Sequence, residues 1–456
     1  MSALLLMLLL GLAGMPLSLL LCGPRAEALP AAPLIGAGLL AAAATFEVAF
    51  GGPPLGLALI ALVLGSILPA SRLWARRMSV RPVRPWFELS LLVTPTLVLG
   101  WTLSTLQRVQ VSYDGRSIWF FHARMLTGGH SPYLSQASAF PFSHPDYPPL
   151  VPASVSLSWR LAGTVDYRTG QLTLAALTAC ATVLAVLGVA RAPDQARWEA
   201  PVSAAVGVAV LYGVWDEYAT NGFVDPLCAG LVLAAMVHGL LVRPDRRRTP
   251  LALGLVVLAA FSKNEGLTFV LVVMAAIFVR QVLERGAGER VPWRVFVGVL
   301  GLVLAWPAVA HVHGIPSDLT SGSQLVGDAA RPLPRLKVVL EFLGHLLPGV
   351  TIGLMGLVAV SVLVHRQQRG RIALLLAAQL LCALALLGVY AFGPLEIHYW
   401  VNSSLFRTSM TLRAGGLLAA VYAAAVAAQV VFRTRRGEDV ETTSSLGTAV
   451  VDPPRR

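Results

Sequence analysis

Apolar runs of about 20 residues, the length a helix needs to cross a hydrocarbon core of about 30 Å, recur from the first residues of this chain almost to its last. In that core no water reaches the backbone, so only segments that satisfy their own N–H and C=O groups cross it. Runs of this length exceed those of barrel strands, and the expectation is an all-α, polytopic transmembrane bundle. About thirteen spans are readable, near Ala3 to Cys22, Leu34 to Phe50, Pro54 to Ala70, Phe87 to Leu106, Thr169 to Ala190, Ala200 to Val214 and Phe223 to Val242. The others lie near Leu251 to Phe261, Leu267 to Leu283, Val295 to Val312, Pro348 to Val364, Ile372 to Phe392 and Gly415 to Phe432.

Composition agrees: 13% of the 456 residues are charged and 56% hydrophobic, against about 25% charged in soluble domains. The net charge of +12 does not point to nucleic acid, because the arginines are scattered between apolar spans and form no aromatic-interleaved basic face. Cys22, Cys180, Cys228 and Cys382 lie in apolar stretches without CxxC spacing. They read as small core residues, not as a zinc site or disulfide framework.

The basic residues orient the chain, since short cytoplasmic loops retain Lys and Arg. Most of the 35 Lys and Arg fall on one set of alternate connections, at Arg25, Arg72 to Arg84, Arg191 and Arg197, Arg243 to Arg248, Arg280 to Arg294, Arg366 to Arg371, and the tail from Arg433. The opposite set holds both long loops, Gln107 to Arg168 and His313 to Leu347, which are therefore expected outside. No Lys or Arg precedes the apolar run that ends at Cys22, so this reads as a first span and not as a cleaved signal. The segment Leu251 to Leu283 is broken by Ser262, Lys263, Asn264, Glu265 and Gly266. It either crosses twice or forms a re-entrant hairpin with an outward polar tip. Residues 1–86 read as a three-span extension with a basic cytoplasmic loop, 87–432 as the main membrane domain, and 433–456 as a polar, disordered tail.

The first long loop carries Asp114, Gly115 and Arg116 ahead of a helical stretch in which Ile118, Phe121 and Met125 share a face. That face is expected to lie flat on the lipid as an interfacial helix. Asp114 is then either the capping carboxylate of this helix or a general base at the membrane surface, where ionisable groups usually serve a purpose. Further along, Pro148 and Pro149 stiffen the entry to a second expected surface helix, Val151 to Leu161.

The order Asp114, Trp119, Ala123, Arg124, then His144-Pro145-Asp146-Tyr147-Pro148-Pro149-Leu150, then Lys263-Asn264-Glu265-Gly266 resembles bacterial membrane glycosyltransferases of the GT-C architecture, relatives of the protein O-mannosyltransferases and aminoarabinose transferases. The resemblance covers Phe87 to Arg413 in span order. It implies a cytoplasmic-membrane, multi-pass enzyme with an outward-facing site, a polyprenyl-phosphate-linked sugar as donor, a glycan, lipid or protein hydroxyl as acceptor, and Asp114 in the catalytic position. Many relatives carry a second acid next to that aspartate, where this chain has Gly115. The loop has no DxD pair, so neither a carboxylate-held metal nor another cofactor is expected.

Such a transfer needs a base near the acceptor hydroxyl and fixed positive charge at the leaving phosphate. Outward-side candidates for substrate binding are Arg124, His144, Asp146, Tyr147, Lys263 with Glu265, Arg331 and Arg335 with Lys337, and Glu396, His398 and Arg407 in the last outer segment. Plainer roles stand beside these: a Lys263–Glu265 ion pair, headgroup attraction for the Arg331 and Arg335 group, an interfacial belt around Glu396. Asp216, Glu217 and Asp225 flank a further short outer loop, where the first two read as solvated. The alternatives to an enzyme are a transporter or flippase of lipid-linked saccharides and a non-catalytic assembly subunit.

Overall fold

The computed structural model describes residues 2–23, 25–51, 88, 91, 93–107, 109–128, 130–192, 199–242, 248–284, 291–316, 332–346, 348–364, 366–393 and 396–435. Every regular element among them is helical. Seven helices are long and apolar enough to cross a membrane: Ser2–Cys22, Ala28–Phe50, Tyr167–Arg191, Asn264–Leu283, Trp293–Val312, Gln368–Phe392 and Ile397–Val431. Shorter apolar helices span Val93–Leu106, Asp225–Leu241, Arg248–Ala260 and Val350–Val362. The chain is a multi-pass helical membrane protein. The expected span Pro54 to Ala70 and the basic loop after it lie outside the described residues. The last helix, Met410–Arg435, runs slightly past the expected boundary at 432.

Peripheral helices bury one stripe and leave the other to lipid. In Trp293–Val303, Phe296, Val299 and Val303 are buried at helical spacing, whereas Val295, Val297 and Leu302 are exposed. The helix Asp225–Met236 differs in being buried on all sides. It packs against Tyr167–Arg191, Arg248–Ala260, Asn264–Leu283 and Met410–Arg435, which makes it the centre of the bundle. Its continuation through the π-turn Val237–Leu241 places Asp225 at one end of this central helix and His238 near the other.

Charges gather at those two ends, as the alternation of connections requires. Toward the His238 end, fully buried Glu27 pairs with Arg191 at 2.6 Å and Arg248 at 2.8 Å. Arg248 also donates to His238 Nδ1 at 3.1 Å, and Glu88 joins Arg191. Glu284 pairs with Arg280 and Arg371, while Arg280 donates to the carbonyls of Gly239 and Val242, C-terminal groups that the helix itself leaves unpaired. Burial favours a neutral Glu27, but Arg248 and Arg191 outweigh it and hold this carboxyl well below the usual carboxylate range. The N-terminal helices are thereby built into the bundle: Ala28–Phe50 packs on Leu150–Ala162 and Tyr167–Arg191.

The first long loop departs from expectation. Its helix Phe120–Thr127 does not lie on lipid: Ile118 and Met125 are buried, as are Trp119, Phe120 and Ala123. The reason is that Leu150–Ala162 covers it, with Phe120 packed on Trp159 and Tyr167. Leu150–Ala162 is likewise no surface helix, being buried from Leu150 to Trp159. Its serines avoid a desolvation cost by bonding within the protein, Ser154 to Leu150 O and Ser158 to Val155 O.

Glu27→Ala takes from Arg248 and Arg191 the buried carboxylate they share, and removing one partner of a buried pair costs about 3 kcal/mol or more. The detergent-purified variant is expected to melt several degrees lower; an unchanged melting temperature would show that Glu27 does not lock the N-terminal helices.

Candidate functional site

At the end away from His238 the central helix begins with Asp225, which is 5% exposed, in the sequence Val224-Asp225-Pro226. Proline at the second position removes an N–H that the first turn leaves unpaired anyway. The neighbouring hairpin supplies a cation. Arg248–Ala260 ends in a turn at Phe261 and Ser262, Lys263 is extended, and a new helix starts at Asn264. Gly266 permits this reversal, since a Cβ there would stand 2.6 Å from the Ala259 carbonyl oxygen. The Lys263 ammonium donates to Asp225 Oδ1 at 2.7 Å and pairs with Glu265 at 3.0 Å. Burial opposes its charge, but Asp225 and Glu265 together hold it well above the usual lysine range.

The first loop brings Asp114 to the same place. Ser112 N–H donates to Asn221 O at 2.7 Å, and Gln171 reaches the carbonyls of Val109 and Thr220, so the stretch before Asp114 is tied to the turn before Asp225. Gly115 makes that approach possible. A Cβ on it would stand 3.2 Å from the Cα of Gly222, a tighter contact than side-chain carbons usually make. Asp114 caps no backbone N–H; its carboxylate instead accepts from Arg407 Nη1 at 2.6 Å, and the plainer reading of it as a helix cap falls away. Arg407 lies over the Phe223 ring at 4.3 Å, donates to Ser403 O, and stands 3.7 Å from Asp225 Oδ2.

Asp114, Arg407, Asp225, Lys263 and Glu265 thus form one continuous chain of charges drawn from four distant segments. With an effective dielectric of about 20, Arg407 prefers Asp114 to Asp225 at these distances by only about 2 kcal/mol. π-Turns, which are frequent at functional sites, bracket the outer pair: Gly115–Trp119 follows Asp114 and Val401–Leu405 precedes Arg407.

The His144 to Leu150 motif borders this chain. Asn264 donates to Asp146 Oδ2 at 2.8 Å, Trp306 to Asp146 O at 2.7 Å, and Tyr133 to Pro145 O at 3.2 Å. Tyr147 stacks between Trp119 and His144, and His144 adopts a left-handed φ of 52°, an uncommon conformation outside glycine. Behind the motif, buried His122 meets Ser143 Oγ at 3.3 Å. Burial, helped by His144, pushes its imidazole down to about 3. Beside Glu265 a small, partly open apolar pocket is walled by Phe269, Leu386, Val389, Tyr390 and Trp400.

Other candidates stand apart from the charge chain. Arg124 is exposed. Buried Arg335 is spent on the carbonyls of Tyr390 and Gly393, closing the end of the helix Arg366–Phe392, and exposed Lys337 pairs with Glu341. Glu396 caps the helix Ile397–Trp400 through the N–H groups of Tyr399 and His398, which lower its carboxyl, and His398 is exposed. Arg331 lies outside the described residues. Asp216 and Glu217 are exposed, as expected. The residue that sequence reasoning underrated is Asp225; the available signal was an acid placed directly at the head of an apolar span, where ionisable groups usually serve a purpose. Among the described residues no group of three or more His, Cys, Asp or Glu is placed to hold a metal ion.

A histidine held near 3 when folded and near 6.5 when unfolded takes up its proton only on unfolding between those values, so stability is lost as pH falls through that window. His122→Gln is expected to flatten the melting-temperature profile between about pH 6.5 and 4. A variant with the native slope would place the acid sensitivity elsewhere.

The sequence matches no family model, and neither a curated protein nor a solved structure matches it.

Proposed function

We propose that this protein is a membrane glycosyltransferase of GT-C type, which moves a sugar from a polyprenyl-phosphate carrier to an acceptor hydroxyl on the outer side of the bacterial cytoplasmic membrane. The observation that carries the reading is the convergence of Asp114, Arg407, Asp225, Lys263 and Glu265 in one charge chain. Holding ionised groups at the head of apolar helices is costly, and proteins retain them where they serve a function.

The roles follow from the chemistry of the transfer. Asp114 is one of the two partly open ends of the chain, with 23% of its side chain open, and takes the proton of the acceptor hydroxyl. The hydroxyl oxygen bonds to the anomeric carbon, the bond from that carbon to the phosphate oxygen breaks, and its electron pair leaves with the phosphate. Lys263 and Arg407 supply the positive charge that this leaving group needs. A single displacement of this kind inverts the anomeric carbon. The alternation of basic loops supports an outer-side position for the charge chain.

Asp114→Asn preserves size and polarity but removes the base. With polyprenyl-phosphate-linked monosaccharides as probes, turnover by the purified protein is expected to fall roughly 10²- to 10⁴-fold. Equal turnover with Asn would end the catalytic assignment. Movement of labelled lipid across vesicles without product would instead favour a flippase.

A further inference from the structure

We infer that Asp225 is a positioning residue of this site, its Oδ2 being the second seat onto which Arg407 moves when Asp114 has taken up a proton. This rests on the reading of Asp114 as the base. The two oxygens of Asp225 are unequal: Oδ1 is taken by Lys263 at 2.7 Å, whereas Oδ2 is buried and accepts no hydrogen bond among the described residues. Leaving a buried carboxylate oxygen without a donor is unfavourable, and such atoms in a native structure call for an explanation. A cation lies close by: Arg407 Nη1 stands 3.7 Å from Oδ2 while donating to Asp114 at 2.6 Å.

A shift of about 1 Å closes the second contact and brings it to ordinary hydrogen-bond length. The Phe223 ring under the guanidinium offers a flat face along which that shift keeps the cation over the ring. What drives the shift is charge balance. At rest the chain holds three carboxylates, Asp114, Asp225 and Glu265, against two cations, Arg407 and Lys263. Once Asp114 carries the acceptor's proton it no longer attracts Arg407, and Asp225 is the remaining ionised partner within reach. Arg407 thereby stays charged and beside the departing phosphate, instead of turning out to water. When Asp114 releases its proton to the phosphate, Arg407 returns.

Asp225→Asn separates this role from the lysine contact. Its amide oxygen still accepts from Lys263, but its amide nitrogen is a donor and offers Arg407 no seat. The direct experiment is a cryo-EM structure of Asp114→Asn in lipid nanodiscs, which mimics the protonated base without any substrate. Arg407 Nη1 is expected about 3 Å from Asp225 Oδ2; an Arg407 that keeps the native spacing, or swings to solvent, overturns the seat. In parallel, turnover of polyprenyl-phosphate-linked monosaccharides by Asp225→Asn is expected to drop about tenfold or more with KM for the donor little changed, and Asp225→Glu to recover part of it. A defect confined to KM contradicts the role. A seat that forms in a protein with no turnover counts against the transferase reading and not against the seat. Turnover with Arg407 fixed in place counts against the seat alone.

Discussion

The buried carboxylate of Asp225 is the interaction on which one end of this bundle depends. It stands at the first turn of a helix that is buried on every side, and an isolated charge there would be strongly disfavoured. Lys263 makes it tolerable, and through Lys263 the broken hairpin is fixed to the central helix. Arg407 then links the same carboxylate to Asp114, so the first loop and the last polar segment are drawn to one point. The apolar packing of the helices builds the frame, and the charges decide which loops meet on it.

The opposite end follows the same logic with a different outcome. Glu27 is closed in by Arg191 and Arg248, with no exposure of its carboxylate, which suits a structural lock. The Asp225 chain keeps its end groups partly open: Asp114 and Glu265 have side-chain exposures of 23% and 27%. That contrast, a sealed network at one end and an open-ended one at the other, separates an anchoring role from one that can meet a substrate.

Much of the frame was legible in the sequence because helix length and loop charge are local properties. The helices Ser2–Cys22, Tyr167–Arg191 and Asn264–Leu283 fall on expected runs, and the break at Lys263 was visible as a polar interruption. Asp114, Lys263, Glu265 and Arg407 were named from residue type and from a resemblance, and they do come together. What was not legible depended on packing. A helix with an apolar face looks the same whether lipid or protein covers it, so Phe120–Thr127 was expected on the membrane surface and is instead enclosed by Leu150–Ala162. Arg335 carries the same charge as Arg407, and only the open carbonyls of Tyr390 and Gly393 reveal that it is spent on a helix end. Asp225 was passed over because its partners lie far away in sequence.

The central claim is that this charge chain receives the phosphate of a lipid-linked sugar. The most direct measurement is a structure of the protein in nanodiscs with a bound polyprenyl-phosphate-linked monosaccharide. The phosphate is expected within hydrogen-bond reach of Lys263 and Arg407, with the anomeric carbon on the side of Asp114. A lipid phosphate bound elsewhere, with the Asp114–Arg407 pair undisturbed, would contradict it.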